Sequence, residues 1–210
     1  RCGMRAAEGA IERVAVDRDG AFSLRMIGRS APLGLCGSGV VDAIAALRGV
    51  GALDDRGRLI RAHRHVHSLE GKAVARLAPG VLFSQDDVRS VQLSKAAIRT
   101  ATELLLQRAR CEAADIERFV VAGAFGAWLD VGRCIEIGLF PELPRERFVQ
   151  VGNAAGAGIR RMLVSESARK RAREIARQCR YVELSTTPEF QKTFLRCIGF
   201  DRGTDARRTA

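Results

Sequence analysis

Apolar and polar positions alternate with a period of two near the start of the chain and repeat every three to four residues over much of the rest. Ile11-Glu12-Arg13-Val14-Ala15-Val16 and Phe22-Ser23-Leu24-Arg25-Met26-Ile27 flank the turn Asp17-Arg18-Asp19-Gly20, which predicts a β-hairpin. Val40, Val41, Ile44 and Leu47 predict a helix over 40–47, opened by Gly37-Ser38-Gly39 and closed by Gly49 and Gly51. A turn at Asp54-Asp55-Arg56-Gly57 precedes several short strands, the last being Val81-Leu82-Phe83. Ser84 and Asp87 form an S-x-x-D start for a long helix over 84–110. Its core face is expected at Val88, Val91, Ile98, Ala101 and Leu105, with Gln92, Lys95 and Arg99 on another face.

The second half repeats one motif. A strand over 116–121 enters the glycine turn Ala122-Gly123-Ala124-Phe125-Gly126 and then a helix. A strand over 146–151 enters Gly152-Asn153-Ala154-Ala155-Gly156-Ala157-Gly158, a small-residue helix suited to close approach. A basic helix over 165–179, a strand over 181–184 and a helix begun by Thr187-Pro188-Glu189 follow. Phe190, Phe194 and Ile198 share a face of this last helix. Strand, glycine turn and helix thus occur three times, the pattern of an α/β fold with a mixed sheet. One domain over 1–200 and a frayed basic tail over 201–210 are expected.

Composition narrows the function classes. Hydrophobic residues at 47% and charged residues at 28% suit a globular core. Aromatics are only 5%, and no recognition motif is visible, which argues against a nucleic-acid binder. No apolar run is long enough to span a bilayer, so no membrane partner is expected. The opening Arg1-Cys2-Gly3-Met4-Arg5 is neither a secretory signal nor an initiator, and reads as the start of an excised piece. Six cysteines without C-x-x-C spacing read as mostly reduced, buried thiols of a cytoplasmic protein.

The net charge of +11 is uneven. Residues 1–144 hold 20 basic and 17 acidic residues, whereas 145–210 hold 15 and 7. The densest run, Arg169-Lys170-Arg171-Ala172-Arg173 with Arg177 and Arg180, is either a solvated helix face or a surface for an acidic partner.

A glycine turn that leads into a helix presents unpaired backbone N–H groups at a positive dipole end, which makes a phosphate cradle. Gly37 and Gly39 allow close approach there and Ser38 adds a hydroxyl. Gly123 and Gly126 offer the same for a flat or anionic ligand, so the two turns suggest a nucleotide gripped at both ends. G-x-x-x-x-G-K-[ST] is absent, as is G-x-G-x-x-G with an acidic residue about 20 positions on, which excludes two common nucleotide templates. Leu35-Cys36-Gly37-Ser38-Gly39 does not place its serine in the frame of a nucleophile elbow. His63, His65 and His67 would share a strand face, as zinc ligands or on a solvated edge; no further ligand stands beside them, which favours the edge.

Taken in order, several segments resemble one family. They are Gly3-Met4-Arg5 with Gly9-Ala10-Ile11-Glu12; Gly34-Leu35-Cys36-Gly37-Ser38-Gly39 with Asp42; Gln85-Asp86-Asp87-Val88-Arg89 with Gln92 and Lys95-Ala96-Ala97-Ile98; Ala122-Gly123-Ala124-Phe125-Gly126; and Gly152-Asn153-Ala154-Ala155. The chain resembles the ATP-dependent reductive activators of corrinoid proteins over residues 3 to about 200. The resemblance implies an actin/Hsp70/hexokinase-like (RNase H-like) nucleotide-binding fold, incomplete at its N-terminus. It also implies that ATP, with Mg2+, is coupled to reduction of corrinoid Co(II) to Co(I). The family's acidic-glycine-threonine phosphate loop and its [2Fe-2S] ferredoxin domain would lie before Arg1. A corrinoid protein is the implied partner, and a homodimer is left open.

Carried over by position, the resemblance places Gly37, Ser38 and Gly39 near the phosphates. Gly123, Ala124, Phe125 and Gly126 line the nucleoside pocket, with Gln92, Lys95 and Arg99 as further contacts. Asn153 belongs to the hinge between lobes. Asp42, one turn past Ser38, either orients a magnesium-bound water or is an exposed helix residue. The family has Asn where Ala127 stands here. The alternative function is a docking or dimerisation module that meets an acidic partner through the basic helix.

Overall fold

The alternation near the start of the chain folds into the expected hairpin. β1 (Ala10–Val16) and β2 (Phe22–Met26) pair antiparallel, with Val14 opposite Leu24. β3 (Gly34–Leu35) lies parallel on the other edge of β1, so one sheet carries both pairings, in the order β2-β1-β3. The computed structural model describes residues 2–123, 125–184 and 186–200; the tail at 201–210 and Ala124 fall outside them. α1 (Gly37–Gly49) follows β3 directly and is longer at both ends than its apolar repeat predicts.

β4 (Val66–Leu69), β5 (Lys72–Ala78) and β6 (Val81–Ser84) form an antiparallel meander. His65 fastens it to the hairpin: its Nε2 lies 2.7 Å from Gly20 O, and its ring packs on Phe22 at 4.4 Å. α2 (Gln85–Ala109) begins with the predicted capping box, in which Ser84 Oγ accepts from Asp87 N and the Asp87 carboxylate accepts from Ser84 N. It ends on Arg110 in the left-handed region.

β7 (Phe119–Ala122) and β8 (Phe148–Gly152) form a parallel pair. Both begin later than predicted, β8 because a single 3-10 turn occupies Arg145–Arg147; a second such turn, Ala113–Asp115, precedes β7. After β7 the chain makes one 3-10 turn, Gly126–Trp128, and only then α3 (Val131–Glu136), whose N-cap Asp130 accepts from Arg133 N at 3.0 Å. α4 (Ala154–Val164), α5 (Glu166–Gln178) and α6 (Pro188–Arg196) close the chain. The strand expected over 181–184 does not form; Tyr181 is exposed, and these residues pair with no strand among those described.

The core joins α1 to both three-stranded sheets. Ile11, Leu35, Ile44, Leu47, Phe83 and Val88 are fully buried in one cluster that also takes in Ile137 and Phe200. Burying a side chain of this size contributes roughly 1.5–3 kcal/mol. Phe119, Phe140 and Phe148 pack ring on ring at its edge, with centroids 5.2–5.7 Å apart. None of the six cysteines is paired, but only Cys36, Cys134 and Cys197 are buried, fewer than expected. Burial, then the nearby Asp130 and Asp42 charges, pushes the Cys134 thiol up to about 12, so it stays protonated. Among the described residues no helix is long and apolar enough to cross a membrane.

α2 turns an unexpected face inward. Gln92, Lys95 and Thr100 are buried, while Ile98 and Leu105 are about half exposed. The polar stripe meets α6 and the residues after it, because those residues offer backbone carbonyls rather than an apolar surface.

Candidate functional site

The parallel pair ends with its two turns side by side, Ala122 in register with Gly152. Gly123 N donates to Gly152 O at 2.7 Å, and Gly123 takes a φ of +101°, which a residue with a Cβ rarely adopts. Open α/β sheets bind ligands outside the carboxyl ends of such strands. From this turn Phe125 crosses to the start of α1. A Cβ placed on Gly37 would overlap the Phe125 ring, so the absence of a side chain there admits the contact. Two glycine-bearing loops therefore meet at the start of α1, and the third is tied to them through the Gly123–Gly152 hydrogen bond.

Where they meet is a cleft of about 620 Å3, within the range of small-ligand pockets. Met4, Arg5, Glu12, Phe125 and Trp128 line it, together with Cys36 and the first residues of α1. Cys36 holds the N-cap of α1 without a side-chain hydrogen bond to the backbone N–H groups of the first turn; its Sγ lies 3.3 Å from Ser38 Oγ instead. The first N–H groups of a 13-residue helix are thus left at its positive end on the cleft wall. The 3-10 turn beside them is held by Gln150, whose Nε2 donates to Gly126 O at 2.6 Å and Leu129 O at 2.9 Å.

Three residues expected at the phosphates or the catalytic centre, Ser38, Gly39 and Asp42, have work in the sheet, and of these only Ser38 lines the cleft. β3 covers β1 only at Ala10 and Ile11. Beyond that point α1 completes the edge of β1 with side chains. Ser38 Oγ donates to Glu12 O at 3.0 Å, and Asp42 Oδ2 accepts from Val14 N at 3.3 Å. Gly39 allows this packing, because a Cβ there would strike the Ile11 carbonyl. Asp42 is 4% exposed, so neither of its expected settings is found: it is not an exposed helix residue, and it does not line the cleft. Burial raises its carboxyl above the ordinary range, opposed by the Val14 hydrogen bond and by Arg13, whose Nη1 lies 3.7 Å from Oδ1.

Gln92, Lys95 and Arg99 are likewise not among the cleft's lining residues. Gln92 Nε2 donates to Arg56 O at 3.0 Å and Ile198 O at 3.1 Å. Lys95 Nζ donates to Cys197 O at 2.7 Å and also to Gly199 O, placing a cation at the negative end of α6. Arg99 donates to Phe140 O and to Glu103, both at 2.8 Å. Glu103 is shared with Arg196. Spacing alone could not separate a ligand-facing polar stripe from one that closes on the chain's own carbonyls.

Gly126 is buried against Val121. Asn153 caps α4 by accepting from Gly156 N at 3.0 Å and, like Gly152, is not among the cleft's lining residues. Trp128, which sequence reasoning passed over, is on the cleft rim and 65% exposed. Its signal was present, since the chain has one tryptophan and it stands three residues after Phe125.

Magnesium prefers one or two carboxylates together with phosphate oxygens. Glu12, the carboxylate on the cleft wall, pairs with Arg25 at 2.8 Å, and Asp42 is turned into the fold. The cleft's own side chains therefore do not fit as a magnesium cage. Among the described residues no group of three or more His, Cys, Asp or Glu is placed to hold a metal ion or a cluster.

A family described as the C-terminal domain of RACo, the ASKHA domain, matches residues 1–206. The corrinoid activation enzyme RamQ of Eubacterium limosum is 35% identical over 210 residues, spanning 92% of this chain and 35% of that protein. The [Co(II) methylated amine-specific corrinoid protein] reductase of Methanosarcina barkeri is 27% identical over 166 residues, spanning 78% of this chain and 28% of its own length. The solved reductive activator for corrinoid, iron-sulfur protein superposes with a TM-score of 0.86 at 30% identity, over 95% of this chain and 33% of that one. The chain spans about a third of these relatives' length.

Proposed function

Since the chain belongs to the family of the RACo C-terminal ASKHA domain, we propose that it is the nucleotide-binding part of an activator that couples ATP to the reduction of corrinoid Co(II) to Co(I). The observation that supports this reading is the meeting of Gly37 and Phe125 at one cleft, on a turn that the Gly123–Gly152 hydrogen bond ties to the end of β8. An unsatisfied helix N-terminus suits the polyphosphate and Arg5 adds positive charge, while the aromatic rim suits the nucleoside. Gly37, the backbone of Ser38, Gly123 and Phe125 are the proposed contacts. ATP binding, completed by Mg2+ carried on the nucleotide, biases a conformational change; the electron comes from outside the described residues.

The proposed partner is a corrinoid protein, named as the target of the relatives. α5 is the candidate docking helix, with a narrower basic surface than its composition suggests. Arg169 caps the end of α4 by donating to Met162 O at 2.6 Å. Lys170 and Arg171 pair with Glu166 and Glu174, each at 3.4 Å. Arg173 and Arg177 remain facing solvent.

The test is calorimetric titration of ATP into the wild-type protein and Gly123→Asp. Space is open around Gly123, so the added carboxylate enters the nucleoside side without a clash, although φ is strained. Lost affinity with a retained fold supports the reading, and equal affinity overturns it. ATP-dependent appearance of Co(I) absorbance, with a corrinoid protein and a low-potential electron donor, tests the coupling.

A further inference from the structure

We infer that Trp128 is the stacking platform for the nucleotide's base, an inference that rests on the nucleotide reading above. Phe125 and Trp128 come from a single turn in which Trp128 N donates to Phe125 O at 3.2 Å. In 3-10 geometry side chains three residues apart eclipse, so both rings leave the turn on the same side. Both are exposed, Phe125 at 53% and Trp128 at 65%. The turn that carries them is anchored, by Gln150 to two of its carbonyls and by Gly126 against Val121.

A rigid turn that holds two large rings out of the core gains nothing for the fold from their exposure. Phe125 already closes on Gly37, at the α1 N-terminus. Trp128 stands farther along the same cleft with its ring uncovered, and among the described residues it packs on no other aromatic ring. A ligand with an anionic end at α1 and a planar end at Trp128 spans the cleft, and a nucleotide has both. A concave site with an anion-binding end distinguishes this from a flat protein-docking patch.

Trp128 is the only tryptophan in the chain, so its emission reports on this position alone. ATP, adenosine and inorganic tripolyphosphate are titrated into the full chain, with fluorescence and calorimetry read in parallel. ATP and adenosine are expected to change Trp128 emission along the same curve as the heat, and tripolyphosphate to leave it unchanged. Trp128→Ala is expected to weaken ATP binding about tenfold or more, and Trp128→Phe to keep most of it. Tripolyphosphate affinity should be the same in all three proteins, which separates a lost base contact from a damaged fold. If ATP binds the wild-type protein by calorimetry with unaltered emission, and Trp128→Ala binds it equally well, the inference is overturned while the nucleotide reading stands. If ATP gives no heat with the wild-type protein, both fall.

Discussion

The ring of Phe125 lies where a side chain on Gly37 would begin. One residue of the β7 turn thus rests on the first residue of α1, although 88 positions separate them in the chain. Gly37→Ala must displace the ring. Phe125 is half exposed, and alanine favours a helix over glycine by roughly 1 kcal/mol, so stability should change little. ATP affinity should fall several-fold, because the cleft floor is rebuilt. Thermal melting with nucleotide titration checks this, and unchanged affinity would refute the role of the contact.

Asp42 gives a pH prediction. Burial holds its carboxyl above the ordinary 3.8, so the ionised form costs stability in the fold. Its favourable contribution is complete below 3.8 and is lost as pH rises through the folded value. Asp42→Asn keeps an acceptor for Val14 N and should be at least as stable as wild type at pH 7. Asp42→Ala leaves that N–H unpaired and should cost about 1–3 kcal/mol. Urea melts from pH 3 to 8 separate the two, and an equal loss in both variants would contradict the assignment.

Glu103 has the opposite sign. Burial alone would raise its carboxyl, but the Arg99 hydrogen bond and the charges of Arg99 and Arg196 outweigh burial and hold it below the ordinary 4.5. Its contribution is present above 4.5 and is lost as pH falls through the folded value. Glu103→Gln should cost about 1–3 kcal/mol at pH 7 and flatten the acid limb of the stability curve. An acid limb identical to wild type would exclude Glu103 as its source.

Lys95→Met tests whether the polar stripe of α2 is structural. The variant removes the cation at the end of α6 and should lower stability by about 2–3 kcal/mol. The C-terminal segment should become easier for a protease to cut, with ATP affinity unchanged. A fall in affinity with α6 intact would restore Lys95 as a nucleotide contact.

Local signals recovered much of the fold. Alternation located β1 and β2, and Ser84 with Asp87 placed the start of α2 to the residue. Gly37 marked the cleft because glycine is required where Phe125 crosses it. What failed depended on partners distant in sequence. The Ser38 hydroxyl and Asp42 looked like ligands because nothing nearby reveals that β3 stops after two residues and leaves β1 to be finished by a helix. Ile98 and Leu105 looked like core because the carbonyls that draw Gln92 and Lys95 inward lie about 100 positions away. The strand expected at Tyr181 had suitable side chains, but finds no neighbour among the described residues.

The seam between α2 and the end of α6 is stitched by an ammonium, an amide and one guanidinium group. Phe200, buried just beyond α6, holds the same end of the chain in the core, so opening this joint wets hydrocarbon as well as breaking polar bonds, and it should respond to urea as well as to ions and acid.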